Sequence, residues 1–166
     1  MLQITHLNKA YSNKQIFKHF NSTLDTHEHL LISGVSGSGK STLAQIIAGL
    51  DSDYQGTLVY NDLELGRSSQ YKWMKHIQYV PQYNSSTLDP NKTVRWILKQ
   101  PLIHFHFPKA TYEDKISEVM SQCKLETHLL NKKVSTLSGG QFQRLWIAKA
   151  LHLEPDILII DEATTK

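Results

Sequence analysis

Leu2 and Ile4 alternate with polar neighbours, the period of a strand with one buried face. Ser12-Asn13-Lys14 reads as a turn, and Ile16, Phe17, Phe20 and Leu24 continue in extended spacing, so residues 2–24 predict a hairpin. Leu30-Leu31-Ile32-Ser33 is apolar on both faces, as in a strand covered on both sides. Beyond the glycine-rich run at 34–41, Leu43, Ile46, Ile47 and Leu50 recur at i, i+3, i+4 and i+7, the stripe of an amphipathic helix. Residues 56–65 predict a second hairpin turning at Asn61-Asp62. Ile77 to Val80 reads as a strand stopped by Pro81, and residues 83–93 as polar loop. Tyr112, Ile116, Val119, Met120 and Cys123 share one face of a helix over 111–123. A further helix runs from Ser138 to Leu153, ended by Pro155, and Ile157–Ile160 is an apolar strand carrying Asp161-Glu162 at its end. The pattern predicts an α/β core with a small N-terminal antiparallel β element and a helical insertion over about 84–153.

The chain has 166 residues, 40% hydrophobic and 20% charged, which suits one domain and excludes a disordered chain. No apolar run is long enough to span a bilayer, and the N-terminus lacks the pattern of a secretory signal. The single cysteine, Cys123, cannot form an intrachain disulfide and reads as a core residue, which suits a reducing compartment. The net charge of +3 comes from scattered Lys and Arg, so neither a nucleic-acid arm nor a polybasic lipid anchor is indicated. A weakly positive field suits a small polyanion. His104 and His106 have no carboxylate or cysteine at ligand spacing and, on a loop or strand, do not make a metal site. Trp73, Trp96 and Trp146 read as packing residues.

Three motifs carry chemistry. Gly34-Val35-Ser36-Gly37-Ser38-Gly39-Lys40-Ser41 matches G-x-x-x-x-G-K-[ST] at every fixed position, between a predicted strand and a predicted helix. Glycines there let successive N–H groups point inward as an anion nest, and the following helix N-terminus, with Thr42 in its first turn, favours phosphate. Lys40 would bridge β and γ phosphates, and the Ser41 hydroxyl would sit on Mg²⁺. Ile157–Ile160 would deliver Asp161 to the end of a sheet as a Mg²⁺ ligand, with Glu162 placed to deprotonate an attacking water. Leu137-Ser138-Gly139-Gly140-Gln141 puts a good N-cap and two bare glycine amides at another helix start, a second anion site.

These motifs, in this order and with Gln82 after the Tyr79-Val80-Pro81 strand end, resemble the nucleotide-binding domain of an ATP-binding cassette (ABC) transporter. The LSGGQ pentapeptide is the specific element, and the resemblance runs from Leu2 to Thr165. It implies a P-loop NTPase (RecA-like) core, with ATP and Mg²⁺ as cofactors. It also implies that Tyr11 stacks on adenine, that Gln82 reaches Mg²⁺ or the attacking water, and that Ser138 to Gln141 contact the nucleotide of an opposing subunit. The segment from Tyr83 to Val94 is similar to that of ATPase subunits of dipeptide, oligopeptide and nickel importers, with Leu88, Asp89, Pro90, Thr93 and Val94 matching or nearly so. Such importers pair two different ATPase chains, so a heterodimer is the expected assembly. Further implied partners are transmembrane permease subunits and, indirectly, an extracytoplasmic substrate-binding protein, at the cytoplasmic face of the membrane.

The chain departs from the family pattern at its end. Asp161-Glu162-Ala163-Thr164-Thr165-Lys166 stops before the D-loop aspartate, and all nine histidines precede Asp161, so none can be the switch histidine. At least two core strands and the C-terminal helices would also lie beyond Lys166, so the resemblance implies a C-terminally incomplete cassette. Two other readings stay open: a soluble ABC ATPase without transport, and a remnant that binds nucleotide without turnover.

Overall fold

The computed structural model describes residues 1–12, 14–25, 27–82 and 87–161. β1 (Leu2–Tyr11) and β2 (Lys14–Leu24) form the expected antiparallel hairpin. Its alternation slips once: Leu2, Ile4, Leu7 and Lys9 are the buried positions of β1, so the inward phase shifts by one residue at Thr5-His6. The slip is a bulge, with His6 at φ 51° and His19 of β2 at φ 48°. Two asparagines stabilise it reciprocally. The His6 and His19 N–H groups donate to Asn21 Oδ1 (2.8 Å) and Asn8 Oδ1 (2.9 Å). The Asn8 and Asn21 amides donate in turn to the carbonyls of His6 (2.8 Å) and His19 (2.9 Å). Backbone groups displaced from the ladder are thereby satisfied.

β3 (Gln55–Tyr60) pairs antiparallel with the other edge of β1, and β4 (Leu63–Glu64) pairs with β3, giving the order β2-β1-β3-β4. The β3–β4 hairpin turns where expected, with positive φ at both Asn61 (45°) and Asp62 (68°), as a type I′ turn requires. Gly56 (φ 112°) lies where a Cβ would come within 2.7 Å of the Thr5 and His6 carbonyl oxygens, so only glycine lets β3 meet the bulge.

α1 (Lys40–Ile47) buries Leu43, Ile46 and Ile47 as its stripe predicts. It ends sooner than the periodicity implies. Gly49 (φ 73°) donates to the Ile46 carbonyl (3.0 Å) and Leu50 to that of Gln45 (2.9 Å), a Schellman stop that leaves Leu50 outside the helix and exposed. α2 (Gln70–His76), which the pattern does not show, is pinned to that stop. Trp73 Nε1 donates to the Ile47 carbonyl (2.8 Å) and Gln70 Nε2 to that of Gly49 (2.9 Å). Trp73 is fully buried, as expected of a packing residue.

One expectation fails clearly. Leu30–Ser33 is not a covered strand: it has no strand assignment, and Leu31 is 90% exposed. Among the described residues no strand pairs with it, and all four residues are exposed.

The chain divides into two units, Met1–Ile77 and Gln78–Lys166. The division falls at β5 (Ile77–Val80), which stops at Pro81 as expected and pairs with β6 (Ile157–Ile160) in a two-stranded sheet. β6 is only half-buried and Ile160 is exposed, although all four of its residues are apolar. Among the described residues of the second unit, three α-helices, α3 (Val94–His104), α4 (Tyr112–Gln122) and α5 (Gly139–Leu151), are joined by short 3-10 turns. Leu98, Leu102, Ile116, Met120, Leu145 and Ala148 form the centre of their shared apolar core, with Cys123 at its edge. α3 escapes sequence reading because Pro101 lies inside it. Pro101 and its neighbours Leu98 and Leu102 are buried, so packing outweighs the missing hydrogen bond. Residues 104–106 therefore close a helix instead of lying in a loop or strand. Trp96, on α3, is 42% exposed and not a core residue, whereas Trp146 packs against the helical core. The predicted loop residues 83–86 lie outside the described residues. No described helix is long and apolar enough to cross a membrane.

Candidate nucleotide site

In the first unit, residues 34–38 form an exposed loop that leads directly into α1. Ser38 N–H closes its turn on the Val35 carbonyl at 3.2 Å. The N-cap of α1 is Gly39, which offers no side-chain cap, and the first turn holds no acid. The N-cap and first turn, which holds Ser41 and Thr42, therefore supply no anion of their own to these amides, a condition under which a helix N-terminus takes a phosphate. Gly37 (φ 76°) has open space where a Cβ would stand, which leaves room for a ligand against the backbone. At Gly39 (φ 101°) a Cβ would meet Ile16 Cγ2 at 2.6 Å and Phe17 Cζ at 3.1 Å, so β2 presses the loop into shape from behind. Lys40 Nζ donates to the carbonyls of Gly34 (2.9 Å) and Val35 (3.1 Å), arching over the loop. This donor set fits a polyphosphate: backbone N–H groups, one ammonium and two hydroxyls (Ser36, Ser38) beside the glycines.

Tyr11, the last residue of β1, is 46% exposed, and its hydroxyl donates to Asp51 Oδ2 at 3.2 Å. Beneath it lies a group that sequence reading passes over. Lys9 is buried, with its ammonium 2.9 Å from Asp51 and 3.2 Å from Asp53. Burial works against the Lys9 charge, but hydrogen bonds to Asp51 and Asp53 outweigh it and hold the ammonium above its ordinary range. For Asp51 burial likewise opposes ionisation, and the Lys9 hydrogen bond together with the Asp53 N–H brings the carboxyl below its ordinary range. The available signal was spacing: Lys9 and Tyr11 are i, i+2 on one strand and share a face.

In the second unit, Asp161 follows β6 and is buried. Its N–H donates to the Val80 carbonyl (3.0 Å), and its Oδ2 accepts from the Tyr79 hydroxyl (3.1 Å). Gln82 is exposed, two residues past β5. Glu162 lies outside the described residues. Ser138 is the N-cap of α5 and forms a capping box with Gln141: Gln141 N–H donates to Ser138 Oγ (3.3 Å), and Ser138 N–H to Gln141 Oε1 (2.9 Å). Neither Gly139 nor Gly140 has a positive φ, and a Cβ at either would touch nothing within 4 Å. The importer-like segment has structural duties of its own. Leu88 and Val94 belong to the helical core, Thr93 caps α3 through the Trp96 N–H, and Asp89 Oδ1 accepts from the Asn91 N–H (2.9 Å).

With this geometry in hand, the relatives are informative. The ABC transporter family profile matches residues 17–165. The chain belongs to the ABC transporter family, as an ATP-binding domain. It is 35% identical over 162 residues to the nickel import ATP-binding protein NikE of Escherichia coli strain K12, covering 95% of this chain and 60% of that protein. NikE of Shigella dysenteriae is also 35% identical, over 159 residues, 93% of this chain and 59% of the relative. The chain thus spans about 60% of the length of these relatives. Among solved structures, the ABC cassette MJ0796, a dimer bound to ADP and phosphate, superposes with a TM-score of 0.86 at 28% identity, over 99% of this chain and 75% of that one. CbiO1 of Clostridium perfringens, part of the ABC transporter complex cbiONQ, gives 0.82 at 26% identity, over 99% and 67%. The fold is that of the P-loop NTPase cassettes, with an N-terminal antiparallel sheet, and members of the family hydrolyse ATP.

Proposed function

We propose that this chain binds Mg²⁺-ATP and serves as an ATPase subunit of an ABC importer for nickel or other metal complexes, with peptides as a further substrate class. The observation that carries the reading is the phosphate loop: an uncapped helix N-terminus at Gly39, a bare backbone at Gly37, and Lys40 arched above them. Similarity to the two NikE proteins supports the metal side of the substrate range. Residues 1–166 are one ATP-binding domain in this reading, with a helical subdomain at about 84–153.

In this reading Gly34, Ser36, Gly37, Ser38, Gly39, Lys40, Ser41 and Thr42 hold the phosphates, and Tyr11 stacks on adenine. Ser41, Gln82 and Asp161 hold Mg²⁺, which supplies charge neutralisation on the β and γ phosphates. Asp161 suits the task because its backbone and one carboxylate oxygen are already anchored, by Val80 and Tyr79. Glu162 acts as the base for the attacking water, with Gln82 orienting it. Ser138, Gly139, Gly140 and Gln141 reach the nucleotide of a second ATPase subunit. The two glycines support this: neither crowding nor backbone conformation within the unit demands them, so the reason for a bare backbone there is an approaching group. The partners are a second, different ATPase chain and transmembrane permease subunits, with a substrate-binding protein engaged indirectly. The place is the cytoplasmic face of the membrane, peripherally bound.

The experiment is ATP titration calorimetry on the folded chain and its Lys40→Ala variant. Loss of a charge-assisted contact worth about 1.5–3 kcal/mol corresponds to at least tenfold weaker binding. Equal affinities overturn the assignment.

A further inference from the structure

We infer that Lys9 is a positioning residue for the base-binding tyrosine: it closes one face of the Tyr11 ring and ties that ring to the phosphate-loop helix, leaving the other face for adenine. The inference rests on the assignment of Tyr11 under Proposed function.

Lys9 is an unusual residue for its place. It occupies an inward position of β1, in phase with Leu7 beyond the bulge, and its side chain is 2% exposed. An aliphatic residue would fill such a position without the desolvation cost of a buried charge. Here every proton of the ammonium has a partner: Asp51 Oδ1 at 3.1 Å, the Asp53 carbonyl at 2.6 Å and Asp53 Oδ2 at 3.2 Å. A network this complete over-determines the geometry of whatever else it touches.

What it touches is Tyr11, by two routes. The ammonium lies 4.6 Å from the centroid of the Tyr11 ring, in cation–π range. Asp51, the same carboxylate that pairs with Lys9, accepts the Tyr11 hydroxyl at 3.2 Å. Tyr11 is the last residue of β1 and is half-exposed, so these contacts restrain a ring that solvent otherwise borders. The far end of the tether matters as much. Asp51 and Asp53 follow directly on the Gly49 stop of α1, whose other end is the phosphate loop. Lys9 therefore links the element proposed to bind the base to the helix proposed to bind the phosphates. Fixing one side chain before binding spares its ordering cost, which corresponds to about two- to tenfold in affinity, felt only by a ligand with a base.

The test measures ATP and inorganic triphosphate binding by calorimetry on the full chain. Lys9→Met keeps the stem and removes the charge. It is expected to weaken ATP by two- to tenfold and leave triphosphate unchanged, and Lys9→Arg is expected to restore most of the loss. An unchanged ATP-to-triphosphate ratio in Lys9→Met overturns the inference, and so does an equal loss for both ligands, which marks a merely structural role. Tyr11→Ala separates the two levels. If it leaves the ratio unchanged, the base assignment fails and the positioning role with it; if it changes the ratio while Lys9→Met does not, only the positioning role fails. Should Lys9→Met not fold by circular dichroism, Tyr11→Phe decides, because it cuts the Asp51 tether at a half-exposed site. A modest loss confined to ATP supports the inference, and affinities equal to the unsubstituted chain for both ligands overturn it.

Discussion

The Tyr79 hydroxyl donates a hydrogen bond to Asp161 Oδ2 at 3.1 Å, joining the end of β5 to the acid that follows β6. The backbone repeats the link, with Asp161 N–H on the Val80 carbonyl at 3.0 Å. Tyr79→Phe deletes the side-chain bond and keeps the ring. The expected outcome is a loss of about 1 kcal/mol in urea-unfolding stability. If Asp161 holds Mg²⁺ as proposed, the Mg²⁺ dependence of nucleotide binding should weaken alongside it, because its Oδ2 loses the Tyr79 anchor. A variant unchanged in both would show that Tyr79 does not restrain Asp161.

His152, the C-cap of α5, is buried, and among the described residues neither ring nitrogen has a hydrogen-bond partner. Burial, with the Lys115 charge adding to it, pushes its pKa down from 6.5 to about 4. The unfolded chain takes up this proton below about pH 6.5, whereas the folded chain refuses it until about pH 4. Stability from this residue is thus full above 6.5 and falls as the pH drops towards 4, by an amount on the order of 3 kcal/mol. His152→Leu should flatten that pH dependence and raise stability at neutral pH, since two orphan polar atoms are removed. Denaturant unfolding at pH 7 and pH 5 checks both.

Gly39→Ala combines a φ of 101° with a Cβ 2.6 Å from Ile16 Cγ2. Ile16 is β-branched and cannot swing its Cγ2 aside cheaply. The substitution is expected to cost about 1–3 kcal/mol and to weaken triphosphate binding, because the loop must lift off β2. Thermal melts and calorimetry measure the two effects. Gly37→Ala, with open space at its Cβ and a φ of 76°, carries the strain without the clash and should cost less.

Ser138→Ala removes the acceptor of the Gln141 N–H and half of the capping box of α5. About 1 kcal/mol of stability should go with it. Gly139→Ala meets no clash and no strained φ, so it should leave stability within about 0.5 kcal/mol. If the signature glycines face a second subunit's nucleotide, Gly139→Ala should impair ATP-dependent dimerisation in light scattering while its melting curve stays unchanged. A dimer as tight as the unsubstituted one would count against that role.

Local chemistry made much of this chain legible from its residues. The phosphate loop and the start of α1 at Lys40, the capping box at Ser138, the Asn61-Asp62 turn and the α4 stripe all depend on neighbours within a few positions. That Leu30–Ser33 stays without a strand partner among the described residues was not legible, because an apolar run says what could be covered and not what covers it. α3 was hidden for a related reason: Pro101 forbids it locally, and only burial against α4 and α5 overrides the local cost. The partners of Lys9 at 51 and 53, and of Asp161 at 79, are more than forty residues away in sequence. Such contacts carry no periodic trace in the chain: the first sheet and the Schellman stop at Gly49 bring Asp51 and Asp53 to Lys9, and the pairing of β5 with β6 brings Asp161 to Tyr79.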